Sequence, residues 1–126
     1  MTIIEAINKI DSLKPNAYTP TDKIRWLSRL DGMVKEEIID THEDAENITF
    51  NGYDEDDENF SIETELLIPY PHDEVYTLWL EAQIDYANNE YGRYNNSISM
   101  FNSTYSAFER WYNRNHMPLG KNLKFF

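Results

Sequence analysis

The 126-residue sequence contains no cysteine. That removes disulfides, zinc–thiolate sites and thiol nucleophiles in one step. Glycine is scarce, with four in the chain, and no G-x-x-x-x-G-K, G-x-G-x-x-G or G-x-S-x-G pattern occurs. Phosphate-cradling loops are thereby excluded. No run of about 18 apolar residues exists, which excludes a transmembrane helix. The opening Met1-Thr2-Ile3-Ile4-Glu5 lacks the basic-then-apolar layout of a signal peptide, so a soluble, intracellularly made protein is expected. Lysine and arginine are missing altogether from residues 36–74.

What the chain does have is acid and aromatic surface. It carries 23 acidic and 11 basic side chains, a net charge of −12. That charge argues against duplex DNA or an anionic membrane as an adhesive partner. Aromatic residues make up 14%, far more than a disordered acidic chain carries, so the protein should fold. The length suits one domain, 1–126, with a modest core. The charge is uneven: +2 over 1–35, −15 over 36–74, −3 over 75–90 and +4 over 91–126. Opposite charges on different segments let copies attract one another if the fold places them on different faces. The plainer reading of the −15 block is a solvated acidic loop.

Helical signals dominate both flanks. Thr2 with Glu5 matches a capping box. Ile3, Ile4, Ile7, Ile10 and Leu13 follow at helical spacing, and Pro15 ends a helix over about 2–13. Thr19 or Thr21 can cap a second helix, with Pro20 in its first turn. Ile24, Leu27, Leu30, Val34 and Ile38 form its stripe, with Trp26 and Met33 beside it, over about 20–41. A break at Asp31-Gly32 is the alternative.

Residues 43–71 change character. Ile48-Thr49-Phe50 precedes the turn signal Asn51-Gly52, and Phe60, Ile62 and Thr64 alternate with Ser61, Glu63 and Glu65. The expectation is an extended or β-hairpin-like arm over about 45–70, with Asp54, Glu55, Asp56, Asp57 and Glu58 as a mobile acidic tip. Asp73 is a candidate cap for a long helical region. Leu80, Ile84, Ala87, Tyr91, Tyr94, Ile98, Phe101, Tyr105, Phe108 and Tyr112 then step by alternate fours and threes. This stripe predicts one long helix, or two meeting in phase over about 73–91 and 94–115. Gly92 and the asparagines at 88, 89, 95 and 96 mark the weak point. The fold class is therefore mainly α, a small helical bundle. Its core candidates are Ile24, Leu27, Leu80, Ile84, Tyr94, Ile98, Phe101, Tyr105 and Phe108. The apolar-basic tail Lys121 to Phe126 would be wasteful at a terminus unless docked.

Catalytic chemistry finds no footing. His42, His72 and His116 make no H-x-x-x-H or H-E-x-x-H pattern. His42 with Glu43, Asp44 and Glu46, or His72 with Asp73 and Glu74, is a conceivable metal set. A histidine at a helix C-terminus and an acidic cluster at a helix N-terminus explain them more simply. Asp54 to Glu58 lacks the spacing of a calcium loop. No metal, cofactor or catalytic residue is expected. The tyrosine row Tyr76, Tyr86, Tyr91, Tyr94, Tyr105 and Tyr112, with Trp79 and Trp111, reads first as bundle packing. Its functional reading is protein–protein contact, where tyrosine and tryptophan are enriched. Base stacking suits it less, because basic residues are few. The sequons at Asn47, Asn95 and Asn102 are treated as chance.

Several stretches carry a family resemblance. They are Lys14-Pro15-Asn16, Asp22-Lys23-Ile24-Arg25-Trp26-Leu27, Glu65-Leu66-Leu67-Ile68-Pro69, Leu80-Glu81-Ala82-Gln83-Ile84-Asp85-Tyr86-Ala87, and Tyr94-Asn95-Asn96 through Met100-Phe101-Asn102. They resemble head–tail connector (adaptor) proteins of tailed phages and of prophages in Gram-positive bacteria, over most of the chain. The resemblance implies a non-enzymatic, mainly helical subunit. It would dock beneath the portal as a ring, commonly dodecameric, around the DNA exit channel. Its partners would be copies of itself, in some cases only on the portal, and the portal and tail or stopper proteins. It would reside in the host cytoplasm during assembly and then in the virion. DNA would pass without specific binding. A ring needs a heterologous interface, for which Arg25, Arg29, Arg93, Arg110 and Arg114, with Trp26 and Trp111, are the candidates. The acidic loop would face the lumen or a neighbour. The alternative is an acidic DNA mimic that inhibits a nucleic-acid enzyme.

Overall fold

Threonine caps start the first two helices. In the computed structural model, which describes residues 1–119, α1 spans Ile3–Leu13 and α2 spans Pro20–Glu37. At α1 the Glu5 amide donates to Thr2 Oγ1 at 3.2 Å, and the Thr2 amide donates to Glu5 Oε1 at 2.8 Å. Thr19 and Asp22 repeat the arrangement at α2, behind Pro20 in its first turn. Each box satisfies donors that a helix start leaves orphaned. Thr19, not Thr21, is the cap.

α2 runs unbroken through Gly32, where a Cβ would meet nothing within 4 Å. It does not continue to residue 41 as one helix. The helix stops at Glu37 and a 3-10 turn covers Ile39–Thr41. The Ile38 carbonyl explains the change. It accepts from the Thr41 amide, from Thr41 Oγ1 at 2.6 Å, and lies 2.7 Å from His42 Nδ1. The His42 amide turns instead to the Ile39 carbonyl at 3.1 Å. The tightened turn buries both Ile38 and Ile39.

The long heptad stripe belongs to two helices, α3 (Glu74–Ala87) and α4 (Tyr91–Asn115). The break falls at Asn88–Glu90, just before Gly92. Asn89 has φ +61°. Its amide donates to the Tyr86 carbonyl at 3.0 Å, and the Glu90 amide donates to the Asp85 carbonyl at 2.8 Å. That pair of bonds is a Schellman motif with asparagine in the left-handed position. The chain then reverses. Tyr86 meets Tyr94 (ring centroids 5.2 Å apart), Trp79 meets Phe101 (5.0 Å) and His72 meets Phe108 (5.7 Å).

α3 is the centre of the bundle. It packs against each of the other three helices, and six consecutive residues, Val75 to Leu80, are buried. A helix apolar all round is a core helix. α1 runs parallel to it: the Met1 amino group lies 3.6 Å from Asp73, and Lys14 Nζ lies 2.6 Å from Asp85. α2 and α4 run antiparallel to α3. Asp73 holds the N-cap position of α3, but its side chain makes no capping bond.

Of the core candidates, Ile24, Leu27, Leu80, Ile84, Phe101 and Phe108 are buried, whereas Tyr94, Ile98 and Tyr105 are half-buried.

The β-hairpin expectation for the arm is not met. Among the described residues no strand forms there, only one antiparallel bridge, of Glu65 with Thr2; another bridge, outside the arm, joins His42 to Pro118. The carbonyls a hairpin would need are engaged elsewhere. Those of Thr64 and Ile62 accept the Ile3 and Ile4 amides at 3.0 and 2.9 Å, satisfying the open start of α1. Local side chains close turns as well. Ser61 Oγ takes the Glu63 amide, Asp54 Oδ1 the Asp56 amide, and Asp57 Oδ1 the Asn59 amide. Phe60, Ile62 and Thr64 do point inward while Ser61, Glu63 and Glu65 face water, so the alternation is one of burial without a ladder.

Candidate functional site

The acidic arm is held to the bundle by a buried carboxylate. Asp31 lies on α2, fully buried, four residues after Leu27 and three before Val34. Its Oδ1 accepts the Tyr76 hydroxyl of α3 at 2.6 Å. Its Oδ2 accepts the Tyr53 hydroxyl and the Leu67 amide, the latter at 3.1 Å. Tyr76 Oη in turn accepts the Ile68 amide at 2.7 Å. One side chain therefore ties α2, α3 and both limbs of the arm. Burial pushes the Asp31 carboxyl above its ordinary value, outweighing the hydrogen bonds that favour the anion. Burial, and then the neighbouring Asp31 charge, push both tyrosine hydroxyls up, so they remain donors.

Gly52 makes the inward turn at Tyr53 possible. Its φ of +97° is the left-handed region, and a Cβ there would sit 3.3 Å from Ser28 Oγ. That same hydroxyl accepts the Tyr53 amide at 3.0 Å. Beyond Tyr53 the tip Asp54–Glu58 is exposed throughout. Between the tip and α2 lies an open groove of about 650 Å³. Arg25 and Arg29 line one wall, and Asp54, Glu55 and Asp56 line the other. Arg25 pairs with Asp22 at 2.7 Å, inside its own helix.

The other candidates fall elsewhere. Arg93, Arg110 and Arg114 are exposed on α4, with Arg93 3.5 Å from Glu90. Trp26 is half-buried: its carbonyl accepts Trp79 Nε1 at 2.9 Å and its ring meets Tyr18 edge-on. Trp111 is half-buried among Phe108, His72 and His116. The structure brings Arg25 and Arg29 to the acidic tip and keeps the α4 arginines apart from it.

The histidines join packing and a terminal clip. His42 is buried, with Nδ1 on the Ile38 carbonyl and Nε2 2.9 Å from Asn113 Oδ1. His116 Nδ1 lies 2.6 Å from Asp44 Oδ2, and its ring stacks on Tyr112 at 3.7 Å. The hydrogen bond from His116 holds the Asp44 carboxyl below the usual range. The Glu43 amide donates to the Met117 carbonyl at 2.9 Å, and the Leu119 amide to the Thr41 carbonyl at 3.2 Å. Residues 116–119 are thus fastened to 41–44. His72 packs against Phe108 and Trp111. Among the described residues no group of three or more His, Asp or Glu side chains is arranged to hold a metal ion.

Sequence reasoning missed the two buried charges of α2. Lys23 is buried, and its Nζ reaches Asp11 Oδ1 at 2.7 Å and the Tyr18 carbonyl at 2.9 Å. Lys23 and Asp31 both sit four residues from Leu27, inside the apolar stripe. A charge at a core position of the helical period was the available signal.

In comparisons with known proteins, no protein-family model, no curated protein and no solved structure matches this chain.

Proposed function

We propose that this chain is a structural subunit that acts by assembly, the ring-forming head–tail connector of a tailed phage or prophage. One observation carries the reading: exposed charge is divided between the arm and α4. The arm along α2 exposes Asp54–Glu58, while α4 exposes Arg93, Arg110 and Arg114 and carries a single acid, Glu109. Two unlike, complementary faces on one subunit are what a head-to-tail contact uses, and a head-to-tail contact that closes makes a ring. The absence of catalytic motifs agrees with a role in which no bond is made or cut.

On this reading the α4 arginines of one copy meet the acidic arm of the next, and portal and tail proteins occupy the ring's two ends. Carboxylates left facing a channel would repel DNA phosphates within about 8 Å at physiological salt. The genome would then slide without sticking.

The test is light scattering at rising protein concentration, alone and with a portal protein. The expected result is a higher oligomer, or co-assembly with portal. Arg110→Glu with Arg114→Glu should abolish it, and Asp56→Arg with Asp57→Arg in the same chain should restore it in part. A chain that stays monomeric with portal present, and instead binds a DNA-processing enzyme in competition with DNA, would transfer the assignment to a DNA mimic.

A further inference from the structure

We propose that Asn51 is a self-modification site, and that its conversion to isoaspartate releases the acidic arm from its anchor at Tyr53. Of the chain's asparagines, only Asn51 is followed by glycine. Asparagine is among the chemically labile residues. The amide nitrogen of the next residue attacks its side-chain carbon, and a glycine there has no Cβ to crowd the approach.

The fold leaves this reaction open at Asn51. Asn51 and Gly52 are both exposed, and residues 48–54 belong to no helix or strand. Ring closure needs the backbone to rotate, and Gly52, already at φ +97°, changes hand without strain. Asn102 is the contrast. It is exposed and followed by the small residue Ser103, but both lie inside α4, where the next amide is spent on the helix ladder.

The chemistry balances with water alone. Gly52 N bonds to Asn51 Cγ and gives up its proton, the Cγ–Nδ2 bond breaks, and ammonia leaves. Water then opens the cyclic imide. Cleavage at Cγ gives aspartate. Cleavage at the main-chain carbonyl carbon gives isoaspartate, with the chain running on through Cβ and Cγ. Nothing is oxidised or reduced, and loss of ammonia makes the change one-way.

Position gives the change its effect. Tyr53 is the inward anchor of the arm: its amide donates to Ser28 Oγ at 3.0 Å and its hydroxyl to Asp31. Isoaspartate lengthens the backbone before Tyr53 by one atom, about 1.5 Å, against a surface so close that a Cβ on Gly52 would sit 3.3 Å from the same Ser28 Oγ. Hydrogen bonds of this kind span only about 2.7–3.2 Å. A new carboxylate also appears at position 51. It lines one groove with Asp40 and Glu46, whose Lys35 is already paired with Asp40, and another with Asp54 and Asp57. Like charges there oppose a seated arm. Asn51 thus acts as a slow, one-way clock on the arm. The inference does not rest on the connector reading.

The test ages full-length wild type at mildly alkaline pH and follows it by peptide mass mapping. The Asn51 peptide should gain one mass unit many-fold faster than the Asn102 peptide, and enzymatic methyl transfer specific for isoaspartate should label it. In the isoaspartate fraction, isolated by ion exchange, the Tyr53 amide should exchange with solvent several-fold faster than in unmodified chain. The amides of Val75 to Leu80 should keep their rates. Asn51→Gln, which closes its larger ring far more slowly, should stay unmodified and hold Tyr53 protected through the same ageing. An Asn51 rate no higher than that of Asn102 overturns the proposal. So does unchanged Tyr53 exchange after conversion, or equal loss of Tyr53 protection in aged Asn51→Gln.

Discussion

The Asp31 carboxylate and the Tyr76 hydroxyl, 45 residues apart in sequence, meet at 2.6 Å in the core. This bond joins α2 to α3. Through the Ile68 amide on Tyr76 and the Leu67 amide on Asp31, it also fixes the returning limb of the acidic arm. The arm has no ladder of its own, so its position depends on this carboxylate together with the bonds to Ser28 and to the start of α1.

Asp31→Ala should therefore lower stability by about 3 kcal/mol, since the buried Tyr76 hydroxyl and two partly buried donors, the Tyr53 hydroxyl and the Leu67 amide, lose their acceptor and a buried donor costs about 1–3 kcal/mol unpaired. Urea unfolding measures the loss. Hydrogen exchange should show the Leu67 and Ile68 amides deprotected beyond the global change. Equal deprotection across all four helices would mean that Asp31 does not act on the arm.

The raised carboxyl of Asp31 has a definite pH signature. A carboxyl whose folded pKa lies above its ordinary 3.8 binds its proton more tightly in the folded chain. Its contribution is fully present below 3.8 and is lost as pH rises through the folded value. The stability of wild type relative to Asp31→Asn should therefore grow as pH falls from 7 toward 4. The other carboxylates cancel in this difference. Paired urea melts across that range check the sign, and a difference that shrinks toward acid would contradict it.

Phe101 and Tyr94 share the stripe but differ in burial. Phe101 is 4% exposed and packs between Trp79 and Tyr105. Phe101→Ala should cost about 3–5 kcal/mol. Tyr94 is half-buried beside Tyr86 at the hairpin end, so Tyr94→Ala should cost distinctly less. Thermal and urea melts of the two variants give the ranking.

The α3–α4 reversal rests on one left-handed residue. Asn89→Gly should leave stability unchanged or raise it by about 0.5–1 kcal/mol, because glycine occupies that conformation without strain. Asn89→Val should lose about 1–2 kcal/mol, as a β-branched side chain clashes there. If valine proved neutral, the turn would not need the φ of +61° that Asn89 adopts.

Local chemistry made much of the helical layout legible. Thr2 with Glu5, Thr19 with Pro20, and Pro15 mark helix ends because capping and proline act within a few residues. The hairpin alternative for the arm fails for a related reason. Alternation in Phe60, Ile62 and Thr64 reports which side chains are buried, not which backbone groups pair. Their neighbouring carbonyls bond to α1, which no local pattern shows. The heptad stripe from Leu80 to Tyr112 likewise marks an apolar face but not the direction of the chain. Periodicity survives a reversal when the turn keeps phase, so one helix and a hairpin look alike.

By itself, then, the sequence determined the helical class, the caps, the apolar faces and the division of charge, all properties of neighbouring residues or of composition. Tertiary structure alone decided that α3 is the central helix, that Asp31 holds the arm, and that Arg25 and Arg29 face the acidic tip while the α4 arginines do not. Those outcomes depend on groups tens of residues apart finding one another. Burial then makes each buried donor or charge costly without its particular partner, which selects one arrangement from the many that local signals permit.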